Sequence, residues 1–407
     1  MVKVLLVTAS YGEGHNQAAH AVAEALEAEG ATPRIVDYTD LLHPAVRSLT
    51  KFTLLQGVQR VPALYGVFYR SMSRMDPSSS IQRQMHHLGM QQLKKFLASW
   101  QPDVVASTFP SPAGVVSELR RTGRTRLPNA AIITDYTFNG QWIAENIDAY
   151  YVPVESATRD FVEHGVPTER LHTYGIPIRS RFNESQVRSL LRSRMLLRQE
   201  QGLRPDKPLI LLMGGGAGLL GDPVNWQRLV QRLDAQFVII CGNNVRLRKL
   251  FAPLVCDRVR VLGYVQNVED WMAMADLIVT KAGGITVTES LAMELPMLIY
   301  RPIPGQEVEN ARFALSTGAA ELATNLAQAE AFLERAVADP SRLERMRAAA
   351  RGFSSVRGSA SRIAVSLLDL AARAKDWPVP SAVETSSTKR RSAAAYSSAA
   401  RGRRSGG

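Results

Sequence analysis

The sequence predicts an α/β protein made of two doubly wound, Rossmann-like halves that face a cleft. Three observations predict it. Short runs of Val, Ile and Leu alternate with helical patterns, as in parallel sheets buried on both faces. That alternation stops near residues 178–206 and then starts again. Each glycine-rich turn directly follows a strand, at the carboxyl end where open α/β sheets bind ligands. A length of 407 residues suits two domains, and 45% hydrophobic residues are ample for two cores.

In chain order, residues 2–8 form the first expected strand. The turn Tyr11-Gly12-Glu13-Gly14-His15 then opens a helix over residues 16–29, which Gly30 ends. Residues 34–36, 104–107, 131–134 and 149–152 give four more strands. A charged helix over 185–201 and the turn Arg204-Pro205-Asp206-Lys207-Pro208 lead into the second half. Its strands are expected at 209–213, 237–241, 259–262, 277–280 and 297–300, each followed by a helical stretch. A last helix, about 361–374, is expected to pack back on the first half.

The block from Lys281 to Asn310 narrows the chemistry most. A strand runs into Gly283-Gly284 and a helix opens at once, offering unpaired N–H groups and a positive dipole end to an anion. Thr286 adds a hydroxyl suited to a phosphate. Glu289, one turn in, can accept hydrogen bonds from a ribose diol. Gln306, Glu307 and Asn310 carry amides and carboxylates suited to sugar hydroxyls. Together these groups point to a nucleotide-sugar pocket.

Two other glycine turns invite a nicotinamide reading. Gly216-Ala217-Gly218-Leu219-Leu220-Gly221 matches the dinucleotide spacing, but the next strand ends in Gly242-Asn243-Asn244 and lacks the acid that would hold the ribose. The run containing Gly215 and Gly216 better suits a tight turn beside a diphosphate or sugar. The first turn, through Gly14, lacks the third glycine, although Asp37 does end the following strand. His15 stands at a helix N-terminus, where the dipole disfavours imidazolium, so a neutral ring can accept a proton. The histidines show no metal-ligand spacing and no Asp-x-Asp pair is present. Diphosphate stabilisation is therefore expected from helix dipoles and backbone amides, with no metal or cofactor.

The net charge is +12. Part of it lies in a Ser/Ala/Gly-rich tail, residues 381–407, expected to be disordered. The rest is conspicuous between Leu41 and Leu97, where Arg47, Lys51, Arg60, Arg70 and Arg74 are interleaved with Phe52, Leu55, Tyr65 and Phe68. That mixture suits an anionic membrane surface. No nucleic-acid-binding signature accompanies it, so no nucleic-acid partner is expected. Neither a signal peptide nor an apolar run long enough to span a membrane is evident, and Cys241 and Cys256 have neither metal nor disulfide spacing. A cytoplasmic protein, peripheral on the inner face of the cell membrane, is expected.

At this point the motifs resemble a known family. Ala9-Ser-Tyr-Gly-Glu-Gly-His15, Ile133-Thr-Asp-Tyr136 with Trp142, Tyr174-Gly-Ile-Pro-Ile-Arg179, Gly263-Tyr-Val265, Lys281 to Glu289 and Pro304 to Asn310 fit in order. They resemble the processive diacylglycerol glycosyltransferases and monogalactosyldiacylglycerol synthases, which are distantly similar to the transferase that makes lipid II. The resemblance implies a GT-B fold. It also implies transfer of glucose or galactose from a UDP-sugar to diacylglycerol, with inversion. His15 would be the base and Asp135 would orient it or bind the acceptor. Gly284, Ile285 and Thr286 would stabilise the leaving UDP, Tyr264 and Val265 would border the uracil, and Gln306 and Glu307 would read the sugar. Asn139 stands where relatives often carry histidine, and Ala282 where proline is common. The expected division is an acceptor- and membrane-facing domain over 1–178, a UDP-sugar domain over 179–355, a returning helix over 356–380 and the tail over 381–407; the resemblance spans about residues 3–325 and leaves the tail outside it. A polyprenyl-linked acceptor, a UDP-sugar epimerase or hydrolase, and a non-catalytic membrane or nucleic-acid binder remain alternatives.

Overall fold

The computed structural model describes residues 1–44, 47–48, 89–215 and 223–375. Most of the basic, aromatic stretch between Leu41 and Leu97, with Phe52, Leu55, Tyr65 and Phe68, lies outside the described residues. So do Gly216 and the 381–407 tail.

The first half runs β1 (Lys3–Thr8), α1 (Glu13–Ala28), β2 (Thr32–Asp37), α2 (Met90–Trp100), β3 (Val104–Ser107), α3 (Pro110–Arg121), β4 (Asn129–Ile132), β5 (Ala149–Val152), α4 (Glu155–Glu163) and β6 (Leu171–Thr173). The second half begins with α5 (Glu184–Arg192) and α6 (Arg194–Glu200), then β7 (Leu209–Met213), α7 (Pro223–Arg232), β8 (Gln236–Ile240), α8 (Val245–Phe251) and β9 (Val259–Leu262). It continues through α9 (Val268–Met274), β10 (Leu277–Thr280), α10 (Gly284–Ala292), β11 (Met297–Tyr300), α11 (Gln306–Ser316) and β12 (Ala320–Ala323). Two helices, α12 (Leu326–Ala338) and α13 (Pro340–Arg351), close that half, and α14 (Ser359–Ala374) follows.

Each half holds one six-stranded sheet, ordered β2-β1-β3-β4-β5-β6 and β12-β11-β10-β7-β8-β9. Every strand pair is parallel. The order reverses at β1/β3 in one sheet and at β7/β10 in the other, which are the switch points where such sheets open a crevice. Pro33 is tolerated because β2 is an edge strand.

Several elements differ from expectation. The helix expected over 185–201 is two helices, α5 and α6, separated at Ser193. Strands β6 and β12 had no counterpart in the sequence reading; both are short edges with half-exposed patterns. Helix α1 starts at Glu13, a turn earlier than expected, which puts His15 in its first turn.

The halves share apolar packing. One cluster joins Ala18 and Tyr136 of the first half to Ile285, Val287 and Leu291 of the second. Helix α14 returns to the first half, where Ile363, Leu367 and Leu370 pack with Ala19, Val22 and Leu26 of α1. Its Ser359 hydroxyl donates to the Ile176 carbonyl at 2.8 Å, and the Tyr151 hydroxyl donates to Ser366 at 3.0 Å.

Candidate active site

The two switch points face one another across a cleft of about 1140 Å³. A typical small-molecule pocket encloses roughly 300–1,000 Å³, so the cleft lies at the large end of that range.

The first-domain wall is built by the loops after β1, β3 and β4. His15 Nδ1 lies 2.8 Å from the Thr108 carbonyl and 3.0 Å from Thr134 Oγ1. A carbonyl only accepts, so Nδ1 carries the proton and Nε2 is left as the proton acceptor. Burial holds the His15 pKa below its ordinary value, while the Asp135 charge and the Thr108 hydrogen bond oppose that shift. The ring is therefore neutral at pH 7. It meets the Phe109 edge at 5.1 Å, and Phe109 lies 5.4 Å from Tyr11, forming an aromatic shelf beside the base. Trp142, Asn139 and Gln141 line the same wall. Asp37 is spent elsewhere: its carboxylate accepts from the Thr39 and Ser10 amides, at 2.8 and 3.3 Å.

The second-domain wall starts at α10. The N–H groups of Gly284, Ile285 and Thr286 precede the first helical hydrogen bond, from Val287 N–H to the Gly283 carbonyl at 3.0 Å. They remain at a positive helix end for an anion. Gly283 has open space where a Cβ would stand, and it borders the cleft. Gly284 does something different. A Cβ there would stand 2.2 Å from the Thr134 carbonyl oxygen, so this glycine, which also lines the cleft, permits domain contact. Gly14 also lies at the domain contact, with Ile285 Cγ1 3.6 Å from the site of its absent Cβ. Ala282 has φ +73°, a conformation closed to proline, whose ring fixes φ near −65°. A proline at this position would need a different backbone path.

Glu289 is 7% exposed and lines the cleft. Burial pushes its carboxyl up to about 8, against the pull of Arg179 and with a contribution from Glu269. Arg179 also binds Glu269 at 2.7 Å and the Gln266 carbonyl at 2.7 Å. This ion pair was not foreseen: Arg179 was visible only as part of a motif, and Glu269 carried no local signal. Gly215, Tyr264, Val265 and Thr286 border the same cleft. The Tyr264 hydroxyl accepts from Gln17 of α1 at 3.3 Å.

Gln306, Glu307 and Asn310 lie at the start of α11. Glu307 accepts from the Ile303 amide at 2.7 Å, and burial lifts its carboxyl to about 7. Lys281, itself lowered by burial, is the nearby cation that restrains that rise. Gln306 Nε2 donates to both Asp135 oxygens, at 3.1 and 3.2 Å, and Asn310 Nδ2 donates to Asp135 Oδ1 at 3.1 Å. Both amides thus engage a carboxylate of the opposite domain, a contact that spacing in the sequence did not reveal.

The class follows from this arrangement: two facing Rossmann-like domains, a neutral histidine on one wall and a free helix N-terminus on the other define a GT-B protein. Solved structures agree on the fold. Acinetobacter baumannii MurG matches with a TM-score of 0.57 and 16% identity, over 91% of this chain and 100% of that one. The S. aureus MnaA–UDP co-structure matches at 0.59 and 15%, over 94% and 100%. A UDP-GlcNAc 2-epimerase from Neisseria meningitidis matches at 0.55 and 14%, over 90% and 100%. Transferase and epimerase share this architecture, so fold alone does not separate them.

Sequence relatives do. Residues 15–178 match the monogalactosyldiacylglycerol (MGDG) synthase family model, and 209–357 match the glycosyltransferase family 28 C-terminal domain. A processive diacylglycerol beta-glucosyltransferase of Bacillus cereus is 31% identical over 86% of this chain and 89% of its own length. The Bacillus mycoides protein of the same description is equally similar, with the same coverage. The chain belongs to the diacylglycerol glycosyltransferase family.

Proposed function

We propose that the protein transfers a hexose, glucose or galactose, from a UDP-sugar to the free hydroxyl of diacylglycerol or a glycosyl-diacylglycerol. The observation that carries this reading is the pairing of the His15 wall with the free N-terminus of α10 across one cleft. Nε2 of His15 takes the acceptor hydroxyl proton while that oxygen bonds to the anomeric carbon. The bond from that carbon to UDP breaks, UDP leaves with the electron pair, and the anomeric configuration inverts. The α10 amides and dipole receive the diphosphate charge without a metal. Glu289 holds the ribose, Tyr264 and Val265 border the uracil, and Gln306 and Glu307 face the sugar. The Tyr11–Phe109 shelf suits the apolar part of a lipid acceptor.

Purified protein, diacylglycerol in anionic vesicles and each UDP-hexose in turn give the deciding assay. A glycosyl-diacylglycerol product supports the reading. Hydrolysis or epimerisation of the UDP-sugar without lipid product overturns it.

Glu289 supplies a separate check. Removing a charged acceptor costs about 1.5–3 kcal/mol, so Glu289→Ala should weaken UDP binding by roughly tenfold or more. The carboxylate is the form that accepts ribose hydroxyls. UDP affinity should therefore rise with pH until about 8 and then level off, because proton loss precedes binding. Glu289→Gln should lose the rise toward pH 8 and retain the titrations of UDP and of Glu307. Calorimetric titration across that range measures both effects.

The lipid surface is read as anionic, at the inner face of the cell membrane, from the basic and aromatic residues between Leu41 and Leu97. No described helix is long and apolar enough to cross a membrane. Juxtamembrane cations contribute about 1 kcal/mol each, and Phe52, Leu55 and Phe68 would insert beside them. Vesicle sedimentation should show binding that weakens with salt without vanishing and that survives deletion of residues 381–407. Replacing the three apolar residues with serine should reduce lipid glycosylation and leave UDP binding unchanged.

A further inference from the structure

We infer that Asn310 is a positioning residue, through which the second domain holds Asp135 of the first domain in place beside the base. Closing the domains and completing the catalytic centre are then one event. The inference rests on the reading of His15 as base.

Asn310 is fully buried on α11, and both ends of its amide cross the domain boundary. Oδ1 accepts from the Tyr136 backbone N–H at 2.8 Å, and Nδ2 donates to Asp135 at 3.1 Å. One side chain therefore fixes the backbone and the carboxylate of two consecutive residues. Further contacts pin the same turn. The Tyr136 ring stacks on Phe313, one turn further along α11, with centroids 3.8 Å apart. Thr288 donates to the Gly284 carbonyl at 2.8 Å, so the Tyr136 hydroxyl is the donor in its 2.7 Å contact with Thr288.

Neutral amides on Asp135 fix the place of its side chain without setting a cation beside it. That field reaches His15. The charged groups lining the cleft include Glu13 on the histidine's own helix, Asp135 after β4, and Lys281 and Glu307 on the second domain. Of these, Asp135 is the one whose charge acts on His15, supporting the proton-bound form against burial. Separating the domains breaks the Asn310 and Gln306 bonds, frees Asp135, and leaves His15 a weaker base.

The test is a double-mutant cycle on lipid glycosylation, with UDP affinity and thermal melting measured alongside. Asp135→Asn and Asn310→Ala should each lower kcat by about tenfold or more while UDP affinity stays within about twofold. The double variant should be no worse than Asp135→Asn alone, because Asn310 acts through Asp135. In a Glu307→Gln background and at saturating UDP-sugar, where the bound ribose holds Glu289 ionised, Asn310→Ala should move the acid limb of kcat/KM for the lipid to lower pH. Multiplicative losses, an unmoved limb, or a loss confined to UDP affinity overturns the inference. Where Asn310→Ala fails to fold, Asn310→Asp keeps an acceptor for Tyr136 N–H and removes the donor to Asp135. A folded Asn310→Asp protein with normal turnover also overturns it. Normal turnover in His15→Ala would instead overturn the choice of base, a separate outcome.

Discussion

His15→Ala should lose about 10²–10⁴ in turnover while binding UDP as before, because removing a general base acts on the proton transfer and not on the donor site. The geometry explains why the loss should be this large. The Thr108 carbonyl fixes the proton on Nδ1, and burial keeps the ring neutral, so Nε2 is ready to accept at neutral pH. His15→Gln keeps an amide for the Thr108 carbonyl but has no comparable base, and should be nearly as slow. Single-turnover measurement of lipid glycosylation, set beside calorimetric UDP affinity, checks both variants. Near-normal turnover in either removes His15 from the chemistry.

Gly284→Ala should be the most disruptive single methyl in the molecule's cleft. Its Cβ would stand 2.2 Å from the Thr134 oxygen and 3.2 Å from Ile176 Cδ1, so backbone on one side of the domain contact must move. Overpacking of this kind costs about 1–3 kcal/mol, and here the displaced atoms include the N–H groups at the start of α10 and the Thr134 segment beside His15. Turnover and UDP affinity should both fall, with a lower melting temperature. Gly283→Ala, whose added Cβ would meet nothing within 4 Å, should melt like the native protein. Equal melting of the two variants would show that the contact yields easily.

Local patterns in the sequence carried the fold a long way. Buried parallel strands read as apolar runs, so β3, β5, β7, β10 and β11 are visible within their own residues, and the edge strand β9 is visible through Val259, Val261 and Leu262. Strands β6 and β12 are not, because Leu171-His172-Thr173 and Ala320-Glu321-Leu322-Ala323 are short, half-exposed edges without such a run. The site divides in the same way. Gly283, Thr286, Glu289 and His15 announce themselves through their place behind a strand and at a helix start. What stays hidden is partnership across the cleft. Nothing near Gly284 says that it touches Thr134, and nothing near Asn310 or Gln306 says that each amide meets Asp135. Those contacts depend on how two separately folded sheets are laid together, information that no window of adjacent residues contains.

The return of α14 sets an order on the making of this protein. Residues that cover Ala19, Val22 and Leu26 are among the last described residues to leave the ribosome, so the first domain emerges with one face of its core bare. It must wait for the whole second domain to be synthesised before Ile363, Leu367 and Leu370 can cover that face. A nascent chain stalled after the second sheet would present an apolar strip to chaperones, and an isolated first domain needs residues 359–374 supplied in trans or by fusion.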